Sequence, residues 1–236
     1  MTRGSTGTAA VAAIIFLGSV LLLGRPALAQ QSITLNAGRF AVRGYDTRIA
    51  HDVVLENLNV FAFTLDDFNG ATGGLSWNVG FGEYLEAGLG LGFYQRTVPS
   101  VYLDYESEDG YEIVQDFRLR IVPASATLRV LPFGAAPVQP YFGAGVGLYA
   151  WRYAEFGEFI DFTTADLFQG RYVATGTSPG GIVLGGVRLP IGDRYTVGLE
   201  MQHHRATGVV GIENGFLEDE IDLGGITSSL TFQVRF

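Results

Sequence analysis

A two-residue alternation runs from Tyr84 to Arg96. Large apolar residues occupy every second position, and glycine or polar residues occupy most positions between them. Such alternation places successive side chains on opposite faces of an extended strand. The apolar positions are Leu85, Ala87, Leu89, Leu91 and Phe93. The same split recurs in 196–202 and 229–236, so the chain is expected to form β-sheet with one oily face and one small or polar face.

Eight segments carry a strand pattern, and the connections between them alternate strictly in length. The predicted strands lie near 33–43, 73–81, 84–96, 117–131, 138–152, 180–189, 194–205 and 224–236. The connections at 82–83, 132–137 and 190–193 are short, whereas those at 44–72, 97–116, 153–179 and 206–223 are long. Alternate connections of an up-and-down sheet lie at opposite ends, so all the long loops gather at one end. This asymmetry predicts an all-β fold, a closed antiparallel up-and-down transmembrane β-barrel of eight strands.

Two segments leave this pattern open. The apolar stretch from Val53 to Leu65 can add a hairpin, which would give ten strands, or form a short helix. Within 117–131 the apolar residues change parity, because 117–121 and 124–130 use opposite alternate positions. Proline cannot donate a hydrogen bond to a neighbouring strand, so a β-bulge at Val122-Pro123 is expected to restore the facing.

Side-chain size favours a membrane barrel over a soluble one. Eight strands enclose an interior only wide enough for side chains to fill, which suits small residues, whereas large Leu, Val and Phe suit lipid. Only 17% of the residues are charged, against ~25% in an average soluble domain. Trp151, Tyr153 and Phe117, near strand ends on the long-loop side, are expected to belong to an interfacial aromatic belt.

The first 29 residues have the layout of a secretory signal peptide. Arg3 precedes an apolar run from Ala9 to Leu23, and the small residues Ala27 and Ala29 form the expected cleavage site. The predicted domains are therefore a signal peptide at 1–29 and a barrel domain at 30–236. Losing two arginines with the signal peptide takes the formal net charge from −9 to −11. This acidic balance argues against a nucleic-acid partner.

Charged residues also occur on the face expected to line the lumen. These are Glu86, Arg129, Arg188, Glu200 and Arg235. Buried charges need partners, so the pattern predicts an arginine–glutamate network across the lumen. Such a network can plug the barrel and hold its register, or it can line a polar path. Arginines outnumber the acids, which would favour anions in such a path.

Most other acidic residues are expected to lie in solvent. Twenty of the 24 Asp and Glu residues fall in the four long connections. Carboxylates of this kind can hold calcium or magnesium, but solvated loops kept soluble by like charge are the favoured interpretation. The chain contains no Cys, and no cofactor or metal site is predicted.

The end of the chain resembles a known signal. Phe232, Val234 and the terminal Phe236 alternate with polar residues, as in the carboxyl-terminal signal of outer-membrane barrels. With the signal peptide and the eight-strand plan, the chain is similar to small OmpA- and OmpW-like outer-membrane β-barrel proteins. The resemblance implies a monomer in the outer membrane of a Gram-negative-type envelope. It also implies contact with outer-membrane lipid and lipopolysaccharide, and insertion by the barrel assembly machinery.

Three functions are compatible with this resemblance. The favoured one is a structural or surface-interaction role, with four long acidic extracellular loops and a charged, mostly plugged lumen. The alternative is a narrow OmpW-like channel for small solutes. A lipid A-modifying enzyme is disfavoured. Outer-membrane deacylases have a His-x-Ser pattern, and the comparable residues here are His203-His204-Arg205, with arginine in place of the serine. Asp66-Asp67 with His51 only faintly resembles the barrel proteases. No catalytic residue is therefore predicted.

Overall fold

The computed structural model describes residues 30–107, 109–161, 163–164 and 166–236. The predicted signal peptide, with Ala27 and Ala29, lies outside these residues. Within the described ranges the chain is almost entirely β-structure, joined by one short helix and three 3-10 turns. No helix in this part of the chain is long and apolar enough to cross a membrane.

Nine strands run antiparallel to their neighbours in the sheets. They are β1 (Gln31–Val42), β2 (Gly70–Phe81), β3 (Leu85–Glu106), β4 (Glu112–Val130), β5 (Gln139–Ile160), β6 (Leu167–Ile191), β7 (Tyr195–Val209), β8 (Glu220–Asp222) and β9 (Gly225–Arg235). The short helix α1 is Val53–Asn57, and the 3-10 turns are Tyr45–Thr47, Leu65–Phe68 and Ile212–Asn214.

Eight of these strands close into a ring. Each of β1 to β6 pairs with the next strand along the chain, β7 pairs with β9, and β9 pairs back onto β1. The three-residue strand β8 stays outside the ring, where it pairs with the end of β7 and forms a single bridge from Glu220 to Asp52. Closure leaves no free sheet edge at this level, so every strand has hydrogen-bond partners on both sides. The eight-strand prediction is confirmed, and the segment 53–65 supplies α1 rather than a hairpin.

The outer face of the ring is apolar around its lower half, the half nearer the short turns. Leu85, Leu89, Leu199 and Phe232 all point outward and are 41–57% exposed. Between them on each strand, small or polar side chains point into the lumen. This outer surface is called the apolar band, and its side chains match a lipid environment rather than water.

Strand β4 crosses the upper edge of the apolar band without a bulge. Its register against β3 is the same above and below Pro123, and so is its register against β5. The predicted bulge at Val122-Pro123 is therefore wrong. Leu119 and Ile121 point inward and are buried, whereas Leu128 points outward. The parity of the apolar residues changes because the environments of the two faces change at this level. Below it the outer face meets lipid, whereas above it the inner face is buried in a hydrophobic core.

Two of the predicted long loops are strand instead. The chain expected to form loops at 97–116 and 153–179 continues β3, β4, β5 and β6, leaving connections at only 107–111 and 161–166. These extensions, at ~3.3 Å per residue, reach roughly 30 Å beyond the apolar band. The connections at 43–69 and 210–224 remain long, as predicted.

The upper parts of β3 to β6 form a four-stranded sheet with its own hydrophobic core, called the extension. The two long connections pack against the inner face of this sheet. Phe61 lies against Phe117 with ring centroids 5.1 Å apart, and its neighbour Ala62 bonds the β3 backbone at Val101. Trp151, Tyr153 and Phe117 are buried in this core, so the predicted aromatic belt at these residues is wrong.

Candidate functional site

Three charged side chains meet at the centre of the lumen. Arg129 Nη1 donates to Glu86 Oε1 at 3.1 Å, and its Nη2 lies 3.1 Å from Glu200 Oε2. The three side chains are 4–8% exposed and come from β3, β4 and β7. One guanidinium therefore bridges two carboxylates on different strands, with one charge-assisted contact to each.

Arg188 extends this arrangement toward the short-turn end. Its Nη1 donates to Glu86 Oε2 at 2.8 Å, and its Nε donates to Gln139 Oε1 at 2.9 Å. Glu86 thus accepts from two arginines, one on each oxygen. Glu86, Arg129, Arg188 and Glu200 are together called the lumen network. The structure brings these four predicted residues into direct contact.

The fifth predicted residue lies at the edge of this group. Arg235 Nη2 is 3.5 Å from Gln139 Oε1, and none of the described carboxylates forms an ion pair with Arg235. Its side chain is half-buried at the lower mouth of the lumen. The structure therefore separates Arg235 from the lumen network by one amide side chain.

Neutral side chains that the charge pattern of the sequence does not predict complete the lumen network. Asn78 Oδ1 accepts from Arg129 at 2.7 Å, and the Tyr141 hydroxyl donates to Glu200 at 2.9 Å. The Tyr141 ring also lies 5.7 Å from the guanidinium carbons of Arg129 and Arg188, a distance typical of cation–π contact. Tyr141 shares its parity with the glycines of β5, and that signal could have identified it.

Glycines provide the space that these side chains occupy. A Cβ on Gly88 would lie 2.6 Å from Asn78 Oδ1, and one on Gly186 would lie 2.6 Å from the Tyr141 hydroxyl. Such distances are too short for real contacts, so a larger residue would displace the network. The lumen can therefore hold large Arg, Glu and Tyr side chains only because the inner faces of β3 and β6 are rich in glycine.

A second group of polar contacts joins the two long connections above the ring. Arg43 Nη1 lies 2.9 Å from Asp222 Oδ2, and Arg48 Nη2 donates to the Asp222 carbonyl at 3.1 Å. Arg48 also pairs with Asp52, whose Oδ1 accepts from the Asp222 backbone N–H at 3.0 Å. Asp52 and Asp222 are buried, and these four residues are called the latch. The latch holds the connection at 43–69 against β8.

Helix α1 is attached to the extension by a buried amide. Asn57 Nδ2 donates to Glu155 Oε1 at 2.7 Å and lies 3.0 Å from the Tyr153 hydroxyl. Burial raises the pKa of Glu155 to about 7, although the hydrogen bonds from Asn57 and Tyr153 oppose that shift. No cation of the described residues pairs with this carboxyl group, so its charge is uncompensated when it ionises.

The two adjacent histidines lie on opposite sides of the wall. His204 points inward, with Nδ1 3.1 Å from the Tyr149 hydroxyl and Nε2 3.1 Å from Thr227 Oγ1. His203 points outward and lies 3.4 Å from Arg205 Nε. The pair therefore does not converge on one substrate position. In the part of the chain that the structure describes, Asp, Glu and His side chains form no group of three suited to a metal ion.

The carboxyl-terminal residues lie on the outer surface at the lower end. Phe232 is 41% exposed and stacks on Tyr195 with ring centroids 5.9 Å apart. Phe236 is 68% exposed, and its backbone N–H donates to the Gln31 carbonyl at 3.0 Å. Val234 faces outward between them. These predicted signal residues form one edge of the apolar band beside the seam where β9 pairs with β1.

A closed ring of eight antiparallel strands, apolar outside and polar inside, defines the class of outer-membrane β-barrels. Solved structures of that class align with nearly the whole described chain. Outer-membrane protein OprG from Pseudomonas aeruginosa is similar over 88% of this chain and 96% of its own, with 11% sequence identity and a TM-score of 0.51. Neisserial surface protein A matches 87% of this chain and 97% of its own, with 15% identity and a TM-score of 0.48.

At this level of identity the likeness to OprG shows a shared fold. No protein-family model and no curated protein matches the sequence.

Proposed function

We propose that this protein is an outer-membrane barrel with a plugged lumen, and that its role is structural or surface-interacting. Two obstructions in series support the proposal. The lumen network crosses the ring within the apolar band, and the apolar core of the extension fills the space above it. A solute would have to displace both a paired set of buried charges and a packed hydrophobic core, each of which is costly.

The extension supports a surface role, because it holds side chains far from the membrane on a rigid sheet. Its tip between β3 and β4 exposes Leu103 and Tyr111, which are 52% and 73% exposed. Acidic residues stand beside them, including Asp104 and Glu112. Exposed apolar side chains with a charged rim are typical of contact surfaces. The extended sheet therefore presents many of the side chains that were predicted to lie in long extracellular loops.

Arginines at the upper edge of the apolar band support a location among anionic lipid headgroups. Arg39, Arg120, Arg152 and Arg205 all point outward there, and none forms an ion pair with a described carboxylate. Arg120 and Arg152 are direct cross-strand partners. Like charges at such positions repel each other, and phosphate groups of lipopolysaccharide would relieve that repulsion. This arrangement supports lipopolysaccharide as the lipid partner in the outer leaflet.

Single-channel recording in planar bilayers tests the plugged lumen. The wild-type barrel is expected to show no discrete openings, because both obstructions are in place. The variant Arg129→Ser should also remain closed, since the extension core still blocks the lumen. A general porin inserted into the same bilayers shows that the bilayer and electrodes report openings.

Discrete wild-type openings would contradict this proposal and favour the narrow channel for small solutes. Insertion is checked on the same bilayers with a fluorescently labelled protein, so a silent trace cannot be mistaken for a failed insertion. If openings appear in Arg129→Ser alone, the lumen network is the principal barrier and the extension core is not a second one.

A further inference from the structure

The lower mouth of the lumen contains a cavity of about 110 Å³. Its walls come from the start of β1, the short turns after β2 and β4, and the ends of β6 and β9. Its polar lining includes Glu83, Glu86, Gln139, Arg188 and Arg235. A space of this size holds several water molecules or one small oxyanion.

Two guanidinium groups share a single acceptor at this cavity. Gln139 Oε1 accepts from Arg188 Nε at 2.9 Å and lies 3.5 Å from Arg235 Nη2. The Arg188 side chain is only 12% exposed. Among the described residues, Nη2 of Arg188 has no hydrogen-bond partner. Two like charges in a partly buried mouth are unfavourable with only a neutral amide between them.

The charge balance of the lumen leaves one positive charge at this mouth. Both carboxylates of the lumen network are engaged above the cavity, Glu86 by two arginines and Glu200 by Arg129. Arg235 adds a third arginine, and no carboxylate of the described residues forms an ion pair with it. Glu83 lies on the rim, exposed to solvent and outside every ion pair of the described chain. The uncompensated charge therefore falls on Arg235, beside the open side of the cavity.

We propose that this mouth binds a small oxyanion, a phosphate or carboxylate, that enters from the periplasm. Arg188 and Arg235 supply the charged donors, and the amide of Gln139 holds the two guanidinium groups side by side. Guanidinium groups bind phosphate and carboxylate oxygens through paired N–H donors. The site lies at the short-turn end, which faces the periplasm in outer-membrane barrels. It does not depend on whether the lumen conducts.

Titration followed by NMR of the arginine Nε–Hε groups tests this site. The full barrel is held in a non-ionic glycoside detergent, so that no headgroup phosphate competes. Inorganic phosphate and acetate are added in separate titrations at constant ionic strength. Arg188 and Arg235 should show saturable shifts, whereas Arg194, exposed in the neighbouring turn, should show only small shifts that do not saturate. Saturation by phosphate alone would assign the site to tetrahedral anions, and saturation by both would extend it to carboxylates.

Two substitutions act in opposite directions on the same site. Arg235→Gln should weaken phosphate binding at Arg188 at least tenfold. Glu83→Gln removes the acidic group on the rim and should strengthen binding severalfold without touching the lumen network. Arg194→Gln is the matched control and should leave the affinity unchanged. The proposal is overturned if the shifts at Arg188 match those at Arg194, or if neither Arg235→Gln nor Glu83→Gln changes the affinity.

Discussion

In the extension, one buried carboxyl group, that of Glu155, should make stability depend on pH. Glu155 is buried beside Asn57 and Tyr153, and Tyr102 and Tyr172 are the other titratable groups near it. Burial raises the pKa of the Tyr102 and Tyr153 hydroxyls, so neither adds a charge near neutral pH. None of the described cations forms an ion pair with Glu155. A carboxyl group in this position stabilises the folded state when it is protonated and destabilises it when it ionises.

The attachment of α1 should therefore weaken as pH rises. Because the pKa of Glu155 is about 7 in the folded state and ~4.3 in an unfolded chain, the stabilisation is complete below the lower value and is lost through the higher one. Between pH 5.5 and pH 8 the loss should be about 2 kcal/mol. Hydrogen exchange of the amides in 53–61, corrected for intrinsic rates, measures it. Glu155→Gln should remove the pH dependence, and an unchanged dependence in that variant would contradict the assignment.

The lumen residues show which features of the site a sequence pattern can predict. The two-residue period identifies Glu86, Arg129 and Glu200 as facing the lumen, because parity alone decides the side of a strand. Parity does not decide which arginine meets which acid, since that depends on the register between strands. Asn78 and Tyr141 were missed because neutral polar residues on an inner face do not stand out from their neighbours until the charged groups are placed.

Among the elements, the latch is expected to hold the connection at 43–69 against β8. Asp222→Ala should remove the carboxylate that pairs with Arg43 and accepts from the Ile49 backbone N–H. Leaving a largely buried cation without its partner is costly, and the loss should loosen the chain on both sides of Arg48. Arg48 is 9% exposed in the native chain, so trypsin should cleave after it at least tenfold faster in the variant. Timed digestion followed by mass spectrometry measures this rate.

A neighbouring pair provides the control for that experiment. His51 and Glu218 lie 3.5 Å apart in the same region, but the His51 side chain is 72% exposed. Exposed pairs contribute little to stability, so Glu218→Ala should leave cleavage after Arg48 unchanged. Equal cleavage in the two variants would show that the latch does not hold this connection.

Strand β4 explains why strand ends were harder to predict than strand centres. Its apolar residues change parity at Pro123, and a bulge was the natural inference for a wall that faces lipid along its whole length. Above the apolar band the outer face of the strand meets water instead of lipid. The apolar side chains of Phe117 and Leu119 are therefore buried on the inner face. A pattern that reverses its phase marks a change of solvent as readily as a change of backbone, and the sequence of one strand does not distinguish the two.

At the scale of the whole molecule, the last residue is expected to matter for insertion. Phe236 extends the apolar band at the seam between β9 and β1 and matches the aromatic end of the carboxyl-terminal signal. Deleting Phe236 should reduce the amount of folded barrel in the outer membrane severalfold. The measurement is the heat-modifiable fraction on gels after cell fractionation. Phe236→Tyr keeps an aromatic end and should restore it, and wild-type levels in the deletion strain would contradict the expectation.

The register of β4 continues unchanged past Pro123, and this has a consequence for how the barrel can change over evolution. Since the backbone continues unbroken through the boundary between lipid and water, the depth of immersion depends on side-chain chemistry alone. Exchanging a few outward apolar residues at the upper edge of the apolar band for polar ones would move the boundary between lipid and water down the wall. Adding residue pairs to β3, β4, β5 and β6 would lengthen the extension. The height of the extension above the cell surface can thus change in small steps while the closed ring of eight strands stays the same.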